Sequence, residues 1–577
     1  MNHSINTQLD LIGQLRNIVG DEQVITKDSK THYYRKGFRS GEGSALAVVF
    51  PQSLLQQWKV LQACVADNKI IIMQAANTGL TEGSTPSGDS YDREVVIVNT
   101  TRMTDIILLD KGKQIISFPG ATLHSLEKLL KPLKRSPHSV IGSSCIGASI
   151  VGGVANNSGG SLIQRGPAYT ELALFSQVNA NGELQLVNHL GIDLGDTPEQ
   201  ILTNLQNHDF LQEQLEATDR LASDSEYTDR IRDTAADTPA RYNADHRRLY
   251  ETSGCAGKLA VFAVRLDTFP VAEREQVFYI GVNNDQLLTT MRRDILQQFQ
   301  QLPESAEYLH RDIFNVAEKY GKDVFLMINY LGTDLLPRLF ALKGAVTSWM
   351  NKVPFLPHEL PDRVMQFLSR LWPQALPKRL CDYRDRYEHH LILKMTDKGV
   401  EEAQSYLKAF FANVKSSEGG YFACSKVEAK KAYLHRFAAA GSAVRYQIMH
   451  DNEVEDILAL DVALRRNQEH WVEQLPEEIS SQLECSLYYG HFLCYVFHRD
   501  YILKKGTDAT KIKQQLLELL DQQGAKYPAE HNVGHLYQAE PQLLEFYKQL
   551  DPTNTFNPGI GKASKHKDFA GERCGCC

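Results

Sequence analysis

The sequence of 577 residues lacks the features of a membrane-spanning, secreted or nucleic-acid-binding protein. No uninterrupted apolar run reaches the ~18 residues that a membrane span needs, and the most apolar long stretch, 487–503, contains two histidines, an arginine and an aspartate. The first ten residues are polar and do not resemble a signal peptide. The net charge of −8 is not the basic excess of a nucleic-acid-binding protein. We therefore expect a cytoplasmic protein without nucleic-acid partners, which could still lie on a membrane surface.

The ten cysteines lack Cys-x-x-Cys spacing among the first seven. This scatter is typical of reduced, mostly buried thiols in an intracellular protein. The end of the chain, Cys574-Gly-Cys-Cys577, leaves two alternatives open: a group of soft-metal ligands or a frayed, disordered end.

The chain is too long for one core, so two to four domains are expected. Strands and helices alternate in 45–135, which indicates α/β layering, with strands predicted at 45–50, 69–73, 94–98 and 114–118. Farther along, 171–178 and 183–188 flank Asn179-Ala-Asn-Gly182, a hairpin signature. A strand at 258–264 is predicted to return to this core, and one at 277–281 to begin a second sheet.

A loop of small residues, Gln74–Ser84, follows the apolar strand at 69–73. Such a loop lets backbone N–H groups approach a phosphate closely. Taken alone, a plain strand-to-turn connection explains it equally well.

A second small-residue segment, 136–160, contains six glycines and six serines. A segment so poor in side chains can wrap around a large flat ligand and donate many backbone hydrogen bonds. Two such loops on one α/β scaffold predict an extended nucleotide cofactor. The Gly-x-Gly-x-x-Gly of the usual dinucleotide fold is absent, which excludes a nicotinamide-type motif.

Residues 319–386 differ from the rest of the chain in charge. They hold eleven Lys or Arg against six acids, a net +5, which leaves −13 for the remainder of a chain whose total is −8. Large apolar residues, among them Trp349, Phe367 and Trp372, are interleaved with the basic ones. This pattern suits contact with an anionic membrane surface; a helical domain with a solvated basic face is the alternative.

Several motifs resemble those of the vanillyl-alcohol-oxidase type of FAD flavoproteins. Asn77-Thr-Gly-Leu-Thr81 and Ile146-Gly-Ala-Ser149 … Asn156-Asn-Ser-Gly-Gly160 look like its two FAD-embracing loops. Asp551-Pro … Asn557-Pro-Gly559 resembles the end motif of its 2-hydroxy-acid-oxidising branch. Within that branch, nearly the whole chain is similar to the bacterial respiratory, quinone-linked D-lactate dehydrogenase family, on the motifs 34–40, 254–258, 435–441 and 530–537.

The resemblance implies an α+β fold of three parts. These are a two-subdomain α/β FAD-binding domain (1–267 and 520–577), an antiparallel-sheet cap or substrate domain (268–318 and 389–519), and a basic, mainly helical membrane-contact domain (319–388). It also implies non-covalent FAD, because 74–84 contains no histidine for a covalent link. The implied FAD-binding residues are Ala75, Ala76, Asn77, Thr78, Gly79, Gly83, Ser84, Gly142, Ser149, Gly159 and Val261.

Oxidation of a 2-hydroxy acid needs a base, a cation for the carboxylate and a dry pocket. Histidine is the usual base at neutral pH. We predict His531 as the base, oriented by Glu530 or His535, with a structural histidine cluster as the alternative. His491 is the second candidate. The metal motif His-x-Gly-Asp-Gly-Asn-x-His of related dehydrogenases is replaced here by 491–498, which lacks Gly-Asp-Gly-Asn, so no metal is predicted.

Arginine favours bidentate binding of a carboxylate. Arg39, Arg436 and Arg445 are the candidates, and Arg436 is preferred. Tyr488 and Tyr489 could donate a hydrogen bond in the same pocket. Between the last two arginines, Ala438-Ala-Ala-Gly441 predicts a loop or a helix start.

The favoured interpretation is an FAD enzyme that oxidises D-lactate to pyruvate by hydride transfer to flavin N5. Its electrons would pass to ubiquinone or menaquinone at an anionic membrane surface, the cytoplasmic face of the inner membrane. One alternative is a dehydrogenase or oxidase of another D-2-hydroxy acid. A different class is a non-catalytic, membrane-associated flavin-binding protein.

Overall fold

A computed structural model describes most of the chain. The described residues are 10–139, 146–211, 215, 218–332, 343–344, 346–347, 349–350, 353, 357, 359–372 and 374–571. The cysteine-rich tail 574–577 and Gly142 lie outside them.

The first sheet is mainly parallel. Its strands are β1 (Val24–Ile25), β2 (Ala47–Val49), β3 (Ile70–Gln74) and β4 (Val95–Asn99), in the order β1-β2-β4-β3. The pairs β2–β4 and β3–β4 are parallel, and these strands are buried along nearly their whole length, as a sheet covered on both faces requires. The helix Leu54–Ala66 packs on this sheet after Ser53, whose side chain caps its first turn. These elements confirm the alternation predicted for this region.

The second sheet is antiparallel and confirms the predicted hairpin. Its strands are β5 (Ile106–Leu109), β6 (Gln114–Ser117), β8 (Ala173–Val178), β9 (Leu184–Asn188) and β10 (Ala260–Asp267). In the order β5-β6-β10-β8-β9, β10 is central, so the strand predicted to return to the core does so. A separate pair joins β7 (Arg135–Ser136) to β11 (Phe269–Pro270).

The third sheet has seven antiparallel strands, in the order β15-β12-β14-β13-β17-β18-β16. They are β12 (Glu275–Val282), β13 (Ser305–His310), β14 (His389–Thr396), β15 (Gly419–Ala423), β16 (Val454–Ala463), β17 (Leu483–His491) and β18 (Val496–Lys504). Apolar side chains pack on both faces, with Arg311–Tyr320 and Lys426–Met449 covering one and Asp285–Gln298 and Gly399–Phe411 the other.

The α-helices given by the structure are Leu11–Val19, Asp28–Arg35, Leu54–Ala66, Leu123–Leu130, Ile150–Ala155, Pro198–Asn207, Tyr227–Arg232, Asp285–Gln298, Arg311–Tyr320, Lys322–Leu331, Leu360–Arg370, Lys378–Arg386, Gly399–Phe411, Lys426–Met449, Glu477–Ser480, Ala509–Gln522 and Pro541–Leu550. Within the described residues, none of these helices is both long and apolar enough to cross a bilayer.

The prediction of a loop or helix start at 438–441 is wrong. These residues lie in the interior of Lys426–Met449, the longest of these helices, called the long helix below. A capping box at Ser425 and Glu428 fixes its start. Three consecutive alanines are good helix formers and sustain it through the single glycine.

The long helix also contacts two helices of residues 319–386, called the basic segment below. Arg445 lies between two buried carboxylates, with Nη2 2.9 Å from Asp323 on Lys322–Leu331 and Nε 2.7 Å from Asp362 on Leu360–Arg370. A buried cation is stable only when it is paired in this way.

Candidate active site

One face of the seven-stranded sheet presents polar side chains. In the register of the strands, Glu307 lies opposite His491, and His498 lies opposite both Tyr489 and Asp461. Because neighbouring side chains of a strand point to opposite faces, these five share one face. Polar groups gathered on a buried face need partners, and those partners come from the first half of the chain and from its C-terminal part.

His491 lies between two carboxylates. Its Nδ1 is 2.7 Å from Oε1 of Glu307, and its Nε2 is 3.3 Å from Oε2 of Glu530. Burial alone would lower the pKa of His491, but the two carboxylates outweigh burial and raise the pKa to about 10. The imidazole is therefore a cation at neutral pH, with Nδ1 hydrogen-bonded to Glu307 and Nε2 in an ion pair with Glu530.

Glu530 joins His491 to the second small-residue loop. Its carboxylate accepts a hydrogen bond from Nη2 of Arg241, and the same nitrogen donates to the backbone oxygen of Gly160 at 2.5 Å. A side chain at Gly159 would place its Cβ 2.5 Å from Oε1 of Glu530, so only glycine allows this approach. Burial raises the pKa of Glu530, but His491 and Arg241 lower it well below its usual range.

Glu307 joins His491 to the long helix. Its Oε2 lies 2.9 Å from Nε of Arg436 in an ion pair that is not an aligned hydrogen bond, and the Arg436 guanidinium stacks 4.7 Å above the ring of Tyr489. Arg436, Glu307, His491, Glu530 and Arg241 thus form one chain of alternating charges, all of them buried. We call this set the charge chain.

His531 lies beside the charge chain and is more open. Its side chain keeps a third of its surface exposed, and Nε2 is 4.0 Å from Oδ2 of Asp461. The same Asp461 oxygen accepts the backbone N–H of Glu530 at 2.7 Å, and its other oxygen lies 3.3 Å from Nδ1 of His498. Asp461 therefore holds the backbone next to His531 and leaves the imidazole accessible.

The first small-residue loop is held by its own polar groups. Asn77, in a left-handed conformation with φ +52°, donates from Nδ2 to the oxygen of Lys36 at 2.9 Å and accepts from Ser84 Oγ at 2.8 Å. Residues 75–80 are half-buried, although the strand before them is buried. An added Cβ at Gly79 would meet nothing within 4 Å.

The second loop approaches the first, and three of the four other predicted FAD residues are among the described residues. Ser149 caps the short helix Ile150–Ala155, and Gly147 faces Ala76 of the first loop, with an added Cβ 3.9 Å from the alanine methyl. Gly159 borders Glu530. Val261 is buried on β10, where its oxygen accepts from Gln57 at 3.1 Å.

The residues between the two loops fit an extended flavin nucleotide. The open space at Gly79 and the small residues Ala75 and Ala76 of the half-buried run 75–80 leave room for a phosphate close to the backbone. Farther in, buried polar atoms lack a hydrogen-bond partner: Oδ1 of Asn157, Oδ1 of Asn243, and Nε and Nη1 of Arg241. Buried polar atoms are rarely left unpaired, and a bound ligand with donors and acceptors is consistent with their arrangement.

Two of the three other predicted residues, His535 and Arg445, lie apart from the charge chain. His535 Nδ1 is 3.1 Å from the oxygen of Gly559, and its backbone N–H donates to Thr81, so it joins the first loop to the C-terminal motif. Burial lowers the pKa of His535 to about 4. Arg445 is held by Asp323 and Asp362. Arg39 is exposed, but its charge lowers the pKa of buried Asp500, whose overall shift is upward because burial outweighs it.

His491, His498 and Glu530 are the one group of described side chains with metal-ligating atoms close together, all within 4.8 Å. A metal ion held by these three side chains would have to replace the proton between Nε2 of His491 and Oε2 of Glu530. That no metal is required stays a prediction.

Glu307 and Arg241 belong to the charge chain but have no motif in the sequence. Glu307 stands in Ser305-Ala-Glu-Tyr-Leu-His310, where a charged residue inside a short apolar strand is a signal that could have been noticed. Arg241 lies in a polar, irregular stretch, and nothing in its neighbours distinguishes it.

Comparisons with known proteins agree with this architecture. A family model described as "D-lactate dehydrogenase, membrane binding" matches residues 277–569, and one described as "FAD binding domain" matches 45–188. The chain is 60% identical over 558 residues to the quinone-dependent D-lactate dehydrogenase of Escherichia coli, covering 97% of each chain. It is 55% identical to that of Haemophilus influenzae, covering 97% of this chain and 99% of the relative.

A solved structure of p-cresol methylhydroxylase with substrate bound superposes with a TM-score of 0.57 at 13% identity, covering 96% of each chain. At this identity the likeness concerns the fold alone. It confirms the predicted α+β fold of the vanillyl-alcohol-oxidase type.

Proposed function

The chain belongs to the family of quinone-dependent D-lactate dehydrogenases, and from this membership we propose that it oxidises D-lactate to pyruvate with non-covalent FAD and passes the electrons to ubiquinone or menaquinone. It is an FAD-dependent oxidoreductase acting on a CH–OH group. The observation that supports a reaction at this site is the contact between Glu530 and Gly159. It brings the charge chain against a loop that resembles an FAD-embracing loop.

When bound, FAD supplies the oxidant that takes the C2 hydrogen of lactate with its electron pair. Ala75–Gly79, Gly83 and Ser84 would hold the phosphates, and Ser149, Gly159 and Val261 would line the rest of the cofactor. The protein must supply a base for the hydroxyl proton and cations for the carboxylate.

His531 is proposed as the base. It is accessible, and Asp461 can stabilise the imidazolium that forms. His491 is unsuited to this role because both of its nitrogens already face carboxylates and its pKa is raised to about 10. We assign His491 the role of a fixed positive charge beside the substrate. Glu530 orients it and, through its backbone, orients His531.

Arg436 is proposed to bind the lactate carboxylate. Its Nε forms an ion pair with Glu307, and one face of its guanidinium stacks on Tyr489. None of the hydrogen bonds found among the described residues involves its terminal nitrogens, so a bidentate contact is open to them. His535 is proposed to support the FAD loops rather than the chemistry.

The basic segment is proposed to bind an anionic membrane surface at the cytoplasmic face of the inner membrane. Its described part exposes large apolar side chains close to arginine and lysine. These are Tyr330, Val346, Trp349, Val364, Phe367, Leu368, Leu371 and Trp372. Such a surface suits shallow insertion between anionic headgroups. The enzyme would then be close to the quinone dissolved in the membrane.

The proposal is tested by mixing the purified holoenzyme anaerobically with D- or L-lactate and following flavin absorbance. Bleaching by D-lactate alone, followed by reoxidation with a soluble quinone faster than with air, is the expected result. Bleaching only by a different 2-hydroxy acid would change the substrate, and a flavin that no 2-hydroxy acid bleaches would refute the enzymatic function.

A further inference from the structure

Glu307 is the buried junction of the charge chain. It lies on β13, in the middle of the seven-stranded sheet, with 3% of its surface exposed. One oxygen accepts from His491 at 2.7 Å, and the other faces Nε of Arg436 at 2.9 Å. A single carboxylate thus fixes two cations that come from different elements, the end of β17 and the long helix.

We propose that Glu307 is a positioning residue for the substrate carboxylate, an inference that rests on the proposed function. A guanidinium can bind a carboxylate through Nε and one terminal nitrogen, or through its two terminal nitrogens. Glu307 pairs with Arg436 by charge on its Nε side, at 2.9 Å. The two terminal nitrogens are thereby the ones presented to a 2-hydroxy acid.

Two further contacts restrict the orientation of Arg436. Tyr489 stacks against its guanidinium at 4.7 Å, and Arg436 lies in the interior of the long helix. With the ion pair to Glu307 as a further restraint, the guanidinium has little freedom to turn. Because a long side chain loses rotational entropy when it binds, prior fixation strengthens substrate binding without a new contact.

The terminal nitrogens of Arg436 also favour an anionic substrate. Arg436 is buried, and none of the hydrogen bonds found among the described residues reaches these two nitrogens. Buried polar groups need a partner. A monocarboxylate such as lactate supplies an acceptor of the right geometry.

Glu473 provides a matched control on the opposite face of the same sheet. It too is a buried carboxylate paired with an arginine, accepting from Arg499 at 2.5 Å and from the hydroxyls of Tyr488 and Tyr501. Its partners alternate along β17 and β18 with the residues of the site, so they point away from it. Loss of its charge perturbs the sheet without reaching the substrate.

The test compares Glu307→Gln and Glu473→Gln as holoenzymes with the wild type. We expect Glu307→Gln to raise the KM for D-lactate, and the Kd of pyruvate measured by flavin absorbance, by about tenfold or more. The kcat should change less than KM. Glu473→Gln should leave both constants within about twofold. If Glu307→Gln does not retain FAD, Glu307→Asp replaces it in the same comparison.

A double-mutant cycle separates positioning from a structural role. Arg436→Lys keeps the positive charge but loses the two parallel N–H groups of the guanidinium. In this background, Glu307→Gln should raise KM much less than in the wild type. Pyruvate binding by Glu307→Gln that matches the wild type, or an equal loss in Glu473→Gln, would overturn the inference. A wild-type flavin that D-lactate does not reduce would instead refute the proposed function.

Discussion

Oε2 of Glu530 lies 3.3 Å from Nε2 of His491, although the two residues belong to different parts of the fold. His491 ends a strand of the seven-stranded sheet, whereas Glu530 follows that sheet in the chain and touches the second small-residue loop. The contact therefore fixes the sheet against the loop that would hold FAD. It also keeps His491 protonated and leaves His531 as the accessible imidazole, and the two histidines should behave differently in every experiment.

Replacing His531 should remove the base and leave the cofactor in place. We expect His531→Asn to slow the anaerobic reduction of the flavin by D-lactate by about 10²- to 10⁴-fold, the usual contribution of a general base. The FAD content should stay that of the wild type, because a third of the side chain is exposed and its loss leaves no buried cavity. Stopped-flow absorbance measures the rate, and His566→Asn, an exposed histidine, is the control. Unchanged reduction in His531→Asn would remove this residue from the chemistry.

A side chain at Gly79 should interfere with FAD but not with the protein fold. The structure has nothing within 4 Å of an added Cβ at this position, so Gly79→Val is sterically tolerated by the polypeptide. If the phosphates of FAD occupy the space, the valine weakens FAD binding by at least about tenfold. Fluorescence titration of the apoprotein measures this affinity. Gly441→Val, with equally open surroundings, is the control; equal FAD affinity in both variants would contradict the assignment of the loop.

The stability of the protein should fall in mild acid because of buried neutral histidines. Burial lowers the pKa of five of them: to about 3 for His138 and His390, and to about 4 for His389, His435 and His535. Unfolded histidine titrates near pH 6.5. Between about pH 6.5 and 4 the unfolded state therefore binds more protons, and the free energy of unfolding falls as the pH falls.

Each of these histidines contributes about 1.4 kcal/mol per pH unit inside that window. Urea unfolding of the protein at pH 7 and pH 5 measures the slope, which His390→Met should reduce and the exposed-site variant His470→Met should not. The contribution of His491 to the free energy of unfolding depends on pH in the opposite direction. Because its pKa is raised to about 10, it stabilises the fold fully below pH 6.5, and this contribution is lost as the pH rises through 10. An unfolding free energy that stays constant from pH 7 to 5 would contradict the burial of the five.

Charges placed on the exposed apolar residues at the end of Leu360–Arg370 and just after it should weaken membrane binding. Phe367 and Leu371 expose 62% and 69% of their surfaces. Because inserting a carboxylate among anionic headgroups is unfavourable, Phe367→Glu with Leu371→Glu should reduce sedimentation with anionic liposomes by about tenfold. Activity with a soluble acceptor should be retained. The control is Leu129→Glu with Val271→Glu, which charges exposed apolar residues elsewhere; liposome binding equal to that of the wild type in the first variant would exclude this face.

Much of the fold was accessible from the sequence because its signals are local. The strands β2, β3, β4 and β6 and the hairpin β8–β9 follow from short apolar runs and a turn of Asn and Gly, which act within a few residues. The prediction for 438–441 was wrong because a glycine among small residues predicts a loop, whereas the capped long helix continues through these residues. The family and the cofactor followed from the two loops and from motifs spread over the chain.

The sequence by itself indicated α/β layering and an extended nucleotide cofactor, since glycine-rich loops and strand periodicity are properties of neighbouring residues. Its resemblance to a known family added the α+β fold, FAD and the family itself. It also pointed to His531, Glu530, His491 and Arg436 as candidates, though not to how they are arranged. Only the tertiary structure decided that Glu307 and Arg241 complete a chain of alternating charges and that His535 and Arg445 lie elsewhere. The physical reason is that ion pairs act across space: Arg241 and Glu530 are 289 positions apart in the chain but share a hydrogen bond.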